Sequence, residues 1–185
     1  ELEAVPALAT IRAFAVRLID NAVPEPVRFK IAHVAMVAQR AMPRYKTGYD
    51  GSITEDDQRL HVLTAENRAV AFVLTALESR FWRLAWRPDG TIELLDKLAM
   101  QNRGPKIGRI WVATEYRRQG LSVNLLAVAV EHMSVQTSAL GWELPFTVAG
   151  GAFVRRVLPG NFSGCGDVAT LKAVLRGESP PADAT

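Results

Sequence analysis

A short basic turn between an apolar strand and an apolar helix carries the clearest chemical signal in this sequence. The β-branched run Ile110–Val112 predicts a buried strand, and the apolar pattern over Leu121–Val130 predicts a helix. The turn between them contains Arg117, Arg118 and Gly120. Free backbone N–H groups and the positive end of the dipole at the start of such a helix attract anions. We therefore expect this turn to bind a phosphate or pyrophosphate group.

The spacing of Arg117, Gly120 and Ser122 resembles the R/Q-x-x-G-x-G/A motif of the GNAT acetyltransferases. In that family the turn holds the pyrophosphate of acetyl-CoA, so the resemblance implies acetyl-CoA as co-substrate. Ser122 stands where Gly or Ala is commoner. By resemblance, backbone N–H groups of the strand before the turn would hold the thioester carbonyl. The implied cofactor-binding residues are Trp111, Val112, Ala113, Arg117, Arg118, Gln119, Gly120, Leu121 and Ser122.

A narrower resemblance is to the cohesin acetyltransferases. The R-I-W-V block at Arg109–Val112, followed by Arg117 and Arg118, is similar to the R-I-W-V…R-R block of that family. The segment His61–Glu78 resembles its two preceding strands, and Glu143–Gly151 resembles its later A-F-S-D-P-T-P-D-G loop. The resemblance implies acetylation of a protein lysine.

The chain departs from the cohesin acetyltransferase pattern at two places. With one Cys and three His, it has no C2H2 zinc-finger spacing. Val148 and Ala149 also stand where the family loop has an Asp after its Ser. The acceptor therefore stays open between a protein lysine and a small amine.

Acyl transfer to an amine needs a neutral amine, a polarised thioester carbonyl and a group that takes up a proton. Glu78, at the end of the strand-like run Ala71–Glu78, is our first candidate for the general base, and Glu143 is the second. Thr147, by its match to the Ser of the family loop, is a candidate for orienting the amine or relaying a proton. The structural alternatives are a solvated charge at a strand end for Glu78 and a strand threonine for Thr147.

Other reactive residue types give no further pattern. GNAT enzymes often use a late Tyr as general acid, and this chain has no Tyr after Tyr116. Cys165 lies in a glycine-rich segment without a Cys/His pattern, so we interpret it as a structural residue. The spacing of His33, His61 and His132 matches no metal site, and we predict no metal.

The composition predicts one globular domain over residues 1–185. Of its residues, 49% are hydrophobic, which is enough for one well-buried core. The net charge of +3, from 22 basic and 19 acidic residues, is too small to indicate nucleic-acid binding. A single Cys excludes an internal disulfide framework and favours a reducing compartment, the cytoplasm, or the nucleus in a eukaryote. The sequence has no apolar run of membrane-spanning length and no basic start typical of a signal peptide.

Periodicity divides the chain into N-terminal helices over residues 1–43, a sheet and cofactor-binding core over 60–176, and a tail over 177–185. The predicted elements, in order, are helices Pro6–Asp20 and Val27–Met42, a loop at Arg44–Asp57, strands Leu60–Thr64, Ala69–Leu77, Phe81–Trp86 and Thr91–Leu95, a loop at Asn102–Pro105, strand Ile107–Ala113, helix Gly120–Ser134, strands Trp142–Val148 and Ala152–Val157, a loop at Pro159–Asp167 and helix Val168–Arg176. Leu95–Gln101 fits either a short helix or the end of a strand. This order is similar to a GNAT fold: one α/β (α+β) domain with a mixed, mostly antiparallel sheet flanked by helices, whose central splayed strand leads into the coenzyme A-binding helix.

Three functions fit these observations. The first is an acetyl-CoA-dependent N-acetyltransferase acting by direct transfer in a ternary complex, because no nucleophile stands out. The second is a non-catalytic acyl-CoA-binding or protein-interaction module on the same fold. The third, a nucleic-acid-binding or partner-binding domain, is disfavoured by the small net charge. We expect acetyl-CoA and an amine acceptor as partners and no membrane, and a homodimer is left open.

Overall fold

The computed structural model describes residues 2–40, 57–66 and 68–178. Within these ranges the chain forms β1 (Ala7–Ile11), β2 (Phe14–Ile19), α1 (Glu25–Arg40), β3 (Arg59–Ala65), β4 (Arg68–Trp86), β5 (Ile92–Val112), α2 (Leu121–His132), β6 (Gly141–Glu143), α3 (Val148–Val157), β7 (Asn161–Cys165) and α4 (Val168–Leu175). Three short 3₁₀ helices span Leu2–Ala4, Thr114–Tyr116 and Thr137–Ala139.

The strands follow the order β1-β2-β3-β4-β5-β6-β7, and β4 also pairs with β7. The β1–β2, β2–β3, β3–β4 and β4–β7 pairs are antiparallel, whereas β5–β6 and β6–β7 are parallel. The prediction of a mixed, mostly antiparallel sheet with helices is therefore confirmed.

The chain divides into two compact units. The first comprises residues 1–76 and 109–134, and the second comprises residues 77–108 and 135–185. The long strands β4 and β5 each contribute residues to both units.

The first unit is built around aliphatic residues of β2, β3, β4 and α1. Its core cluster consists of Val5, Ile19, Ile31, Leu60, Val62, Phe72 and Leu74. The amphipathic helix α2 buries Leu121, Leu125, Leu126 and Ala129, which recur at helical spacing on one face. This packing places α2 against β1 and β3.

The second unit has an aromatic centre. The rings of Trp86 and Phe162 stack with centroids 5.0 Å apart, and Phe146 lies beside both. The indole N–H of Trp86 donates to the carbonyl of Leu158. At Gly141 a Cβ would lie 1.8 Å from the Phe81 ring. Only glycine at this position therefore allows the ring to lie so close to the start of β6.

The predicted helix over Pro6–Asp20 is wrong. This segment is the β1–β2 hairpin, which turns at Arg12 with a φ of 55°. The segment also suits a strand, because its Val16 and Ile19 are β-branched and fully buried. Pairing of β2 with β3 satisfies the backbone there and outweighs the local pattern. The second predicted helix is confirmed as α1.

Phe81–Trp86 is a strand as predicted, although it continues β4. Three further predictions, between residues 102 and 167, are wrong. Asn102–Pro105 lies inside β5 instead of in a loop. Ala152–Val157, predicted as a strand, belongs to α3, which begins at a threonine cap that the pattern of apolar residues does not reveal. Most of the predicted loop Pro159–Asp167 is β7, where glycine permits close packing: a Cβ at Gly164 would lie 2.5 Å from Leu84.

Several predicted elements are confirmed. The strand leading to the basic turn is the end of β5, and the following helix is α2. Gly90, between the predicted strands Phe81–Trp86 and Thr91–Leu95, lies in a turn with a φ of 87°. Asp167 caps α4 through a hydrogen bond from the N–H of Thr170 at 2.7 Å. The predicted loop at Arg44–Asp57 lies outside the described residues except for its last residue, as does the tail after Glu178.

The described helices include none that is both long and apolar enough to span a membrane.

A pair of histidines, of which His61 is buried and His132 half-buried, joins β3 to the end of α2 in the first unit. Nε2 of His61 and Nδ1 of His132 are 3.1 Å apart, and His61 is fully buried. Burial lowers the pKa of His61 to about 3, and the charges of His132 and Arg59 act in the same direction. His61 is therefore a neutral core residue at physiological pH.

We expect the free energy of unfolding to fall as the pH drops below 6.5. In that range the unfolded chain binds a proton at His61, whereas the folded chain does not until the pH approaches about 3. At ~1.4 kcal/mol per pH unit, the loss from this residue is about 2 kcal/mol between pH 6.5 and pH 5. Urea unfolding at several pH values measures it. His61→Leu should flatten this dependence and His33→Leu, at an exposed position of α1, should not. Parallel profiles for the wild type and His61→Leu would contradict the assignment.

Candidate active site

The basic turn leaves β5 through a short 3₁₀ helix. The N–H of Ala113 donates to the carbonyl of Val70 at 2.8 Å, which fixes the end of β5 against β4 within the first unit. The Tyr116 ring packs edge-on against Phe14 with centroids 5.8 Å apart. Nε of Arg117 donates to the carbonyl of Val112 at 3.0 Å. These contacts hold the turn in one conformation directly before α2.

Gly120 is the residue on which the turn depends. It caps α2 in the left-handed region with a φ of 76°, a conformation that costs side-chain-bearing residues about 1–2 kcal/mol. A Cβ at this position would have no atom within 4 Å, so the backbone faces open space. The first intrahelical bond runs from the N–H of Asn124 to the carbonyl of Gly120. The preceding N–H groups of α2 therefore have no acceptor within the helix.

The charges of the turn suit an anion. Arg117 and Arg118 are exposed, and Arg118 is also left-handed with a φ of 63°. Gln119 donates through Nε2 to the carbonyl of Glu115. Leu121 is buried, so that this residue can offer a ligand only its backbone N–H, whereas Ser122 is half-buried. The predicted phosphate-binding residues thus lie together at one helix N-terminus, where the dipole and the arginines favour negative charge.

The predicted cofactor-binding residues on β5 have structural contacts of their own. The Trp111 indole stacks on Phe72 with centroids 5.6 Å apart and packs against the core of the first unit. The carbonyl of Val112 accepts from Arg117, and the N–H of Ala113 is already bonded to Val70. A role of these three residues toward a thioester stays a prediction.

A lysine between two glutamates forms the main charged cluster of the second unit. Nζ of Lys106 on β5 lies 3.6 Å from Oε2 of Glu78 on β4 and 3.8 Å from Oε2 of Glu143 on β6. The parallel register pairs Lys106 with Gly141, and Glu143 follows two residues later on the same face of β6. The side chains of Lys106, Glu78 and Glu143 are 20%, 26% and 36% exposed. Glu78 and Glu143, the two predicted candidates for the general base, therefore both contact the Lys106 ammonium.

The Glu78 carboxylate is strongly held. Its Oε1 accepts hydrogen bonds from the backbone N–H groups of Ser79 at 2.8 Å and Arg80 at 3.3 Å. Burial by itself would raise the pKa of Glu78, but these two bonds and the Lys106 ammonium outweigh it and lower that pKa. A carboxylate stabilised in this way is a weaker proton acceptor. Within the part of the chain that the structure describes, the Glu143 carboxylate accepts no hydrogen bond from a backbone N–H group.

Lys106 is the functional candidate that the sequence analysis missed. Burial by itself would lower the pKa of Lys106, but Glu143, Cys165 and Glu78 together raise it, so the residue stays an ammonium. The only signal in the sequence is a lysine directly before the predicted strand Ile107–Ala113, which also contains Arg109. Its partners are distant in sequence, so spacing alone does not reveal the cluster.

Cys165 lies beside this cluster but is not a nucleophile. It is 1% exposed on β7, and burial raises its pKa to about 12, with Glu143 and Glu78 adding to the rise and Lys106 opposing it. A thiol of this kind carries almost no thiolate at neutral pH. The structural interpretation of Cys165 therefore agrees with its position, although it lies on a strand and not in a loop.

Thr147 is the N-cap of α3. Its Oγ1 accepts a hydrogen bond from the N–H of Gly150 at 3.0 Å, and the Thr147 carbonyl accepts from the N–H of Gly151. Both bonds are those expected at a helix start. The proposed strand alternative for Thr147 is wrong, and its predicted catalytic role remains a prediction beside this structural one.

We expect Thr147→Ala to lower the free energy of unfolding by about 1 kcal/mol, because the cap is lost, and Thr147→Ser to retain most of it. Chemical denaturation of the three proteins measures the difference. Equal stability of the wild type and Thr147→Ala would contradict the capping role. If folded Thr147→Ala also lost turnover and Thr147→Ser kept it, the predicted role in catalysis would gain support.

Within residues 2–40, 57–66 and 68–178, no group of three or more His, Cys, Asp or Glu side chains is arranged to hold a metal ion.

Comparison with known proteins gives one family match and several structural ones. Residues 106–161 match the family described as ESCO1/2 acetyl-transferase. The xEco2 acetyltransferase domain, solved with a CoA conjugate, matches with a TM-score of 0.70 and 12% identity over 88% of this chain and 97% of that chain. A second structure of that domain gives a TM-score of 0.64 and 14% identity over 88% and 96% of the two chains.

A more distant match is an aminoglycoside acetyltransferase, meta-AAC0020, from an uncultured soil metagenomic sample, in complex with sisomicin. It has a TM-score of 0.51 and 12% identity over 80% of this chain and 88% of that chain. Curated protein sequences give no match.

The structural matches confirm the fold, and the family match covers both the basic turn and the Glu143 segment. The resemblance seen in the sequence is therefore confirmed as a resemblance: residues 106–161 are similar to the ESCO1/2 acetyl-transferases, and the chain has the fold of the xEco2 acetyltransferase domain.

Proposed function

We propose that this protein transfers the acetyl group of acetyl-CoA to a primary amine by direct attack in a ternary complex. The observation that carries the proposal is the left-handed Gly120 at the open N-terminus of α2, inside the segment that matches the acetyltransferase family. A resident nucleophile is not needed, and Cys165 is unsuited to be one.

The turn is suited to the pyrophosphate of acetyl-CoA. The N–H groups of Leu121 and Ser122 offer hydrogen-bond donors, and Arg117 and Arg118 add positive charge. The absence of a side chain at Gly120 leaves room for phosphate oxygens to approach the backbone. The xEco2 domain, with the same fold, was solved with a CoA conjugate, which supports the same class of ligand here.

In the proposed reaction the neutral amine nitrogen attacks the thioester carbonyl carbon and forms the C–N bond. The C–S bond then breaks and the electron pair leaves with sulfur as the coenzyme A thiolate. The amine loses one proton, which Glu143 takes up directly or through a water molecule. Because this chain has no Tyr after Tyr116, we propose that the thiolate leaves unprotonated or takes a proton from solvent.

We assign the base to Glu143 and a supporting role to Glu78, which reverses our order of preference from the sequence. Glu78 is stabilised as an anion by two backbone N–H groups in addition to Lys106. Glu143 is more exposed and is held by Lys106 at 3.8 Å. A carboxylate that is more exposed and less tightly bonded reaches a substrate more readily.

The acceptor belongs to one of two classes. A protein lysine is favoured by the family match over residues 106–161. A small polyamine is the second class, because the aminoglycoside acetyltransferase in complex with sisomicin has the same fold. Val148 and Ala149, in place of an acidic residue of the family loop, leave the choice of acceptor to experiment.

Two measurements test the proposal. Calorimetric titration with acetyl-CoA should give binding in the micromolar range. A thiol-release assay with lysine-containing peptides and with aminoglycosides should then identify an acceptor class. If acetyl-CoA does not bind, the proposed function is wrong.

The alternative is a non-catalytic module that binds acyl-CoA. It is favoured by the missing acidic residue after Thr147 and by the pairing of both candidate bases with Lys106. Binding of acetyl-CoA without release of free coenzyme A with any amine of either class would establish this alternative.

A further inference from the structure

We propose that Lys106 is a positioning residue that holds the Glu143 carboxylate in place for proton uptake, with Glu78 as its anchor on β4. The inference rests on the proposed acetyl transfer and assigns a role to a residue that the motif resemblance does not include.

The geometry gives the ammonium two carboxylate contacts. Nζ lies 3.6 Å from Glu78 and 3.8 Å from Glu143, so one cation joins carboxylates from β4 and β6. The Lys106 backbone is fixed by the parallel pairing of β5 with β6 at Gly141. Because Glu78 is itself held by Ser79 and Arg80, it fixes the ammonium from one side.

The charged groups that face Lys106 come from three strands. Glu78 on β4 and Glu143 on β6 are the anions, and Cys165 on β7 is a neutral thiol at physiological pH. One cation facing two anions leaves the cluster with a net negative charge. The cluster therefore retains one carboxylate that can take up a proton while the other balances the lysine.

Alternative roles for Lys106 fit the contacts less well. Its side chain is 20% exposed and its ammonium is stabilised by the surrounding anions, so it is a poor nucleophile and a poor acetyl acceptor. If Lys106 served only stability, its ion pair with Glu78 would be sufficient, and the second, more exposed carboxylate of Glu143 would not be needed. The greater exposure of Glu143, at 36%, gives the cluster one side that a substrate can approach.

The test compares Lys106→Met, Lys106→Arg and Lys172→Met. Met keeps the length and the apolar stem but removes the cation, Arg keeps the charge, and Lys172 is an exposed lysine of α4 in the same unit. For each protein, kcat and KM are measured with acetyl-CoA and the amine found in the thiol-release assay. We expect kcat to fall by about 10-fold in Lys106→Met, because the Glu143 carboxylate is then no longer held in one position.

The controls should keep kcat close to the wild-type value. Lys172→Met should match the wild type, Lys106→Arg should restore most of kcat, and KM for acetyl-CoA should stay unchanged in all variants. A kcat of Lys106→Met equal to that of the wild type would overturn the inference and leave the acetyl transfer standing.

A second readout does not depend on turnover. The ¹³C signal of the Glu78 carboxyl is followed through a pH titration in the wild type and in Lys106→Met. We expect the titration to move to higher pH in the variant, since Lys106 lowers the pKa of Glu78. If the wild type lacks turnover, the proposed function fails, and an unmoved Glu78 titration would then overturn the proposed link through Lys106 as well.

Discussion

Glu143→Gln should lower kcat by about 100-fold to 10,000-fold while leaving the affinity for acetyl-CoA unchanged. Glutamine has nearly the same shape but cannot accept the amine proton, and a positioned general base contributes a factor of this size. The deficit should narrow as the pH rises, because more of the amine is then neutral without help from the protein. Initial rates at saturating acetyl-CoA, measured between neutral and alkaline pH, give the effect.

Glu93→Gln is the matched control. Glu93 is also a glutamate of the second unit paired with a cation, with Oε2 3.3 Å from Nε of Arg87. Its loss removes an exposed ion pair, which stabilises proteins by less than about 1 kcal/mol, and should leave kcat unchanged. We expect Glu78→Gln to lower kcat by about 10-fold or less, through the loss of the anchor of Lys106.

The relative effects of the two glutamate variants decide the assignment. A large loss in Glu78→Gln with a small one in Glu143→Gln would make Glu78 the base, as the sequence first indicated. Small effects in both would place the base outside this cluster.

The sequence predicted the elements whose signals are local. The end of β5, the turn with Gly120 and the amphipathic α2 follow one another within a short segment, so apolar periodicity and a single glycine were sufficient. The helix Val168–Arg176 was likewise predicted, and its cap Asp167 bonds a group only three residues away.

The missed elements depend on contacts that are distant in sequence. The segment that forms β1 and β2 has apolar spacing that is also compatible with a helix. It is a strand because β2 pairs with β3, which the local sequence does not show. Ala152–Val157 has the residue types of a strand and was predicted as one. It is helical because α3 begins at the N-cap Thr147, at the opposite end of the helix. Lys106 was missed for the same reason, since its two partners come from other strands.

Gly120→Asp should weaken acetyl-CoA binding by at least about 100-fold, which corresponds to about 2.7 kcal/mol. Two effects combine in this variant. The left-handed φ of 76° strains any residue with a Cβ, and the new carboxylate brings a negative charge to the place where we expect the pyrophosphate. Gly120→Ala separates the two effects, because it adds the strain and a methyl group without the charge. We therefore expect an intermediate loss for alanine in the same calorimetric titration.

Gly177→Asp provides a control with the same local strain. Gly177 follows α4 with a φ of 68°, and a Cβ there would also have no atom within 4 Å. Aspartate at this position should cost stability to a similar degree, yet it lies after the C-terminus of a helix, where no anion is expected. Acetyl-CoA affinity should therefore stay at the wild-type value in Gly177→Asp. If Gly120→Asp bound acetyl-CoA as tightly as this control, the turn would not be the pyrophosphate site, and the N-terminus of α2 would have only a structural role.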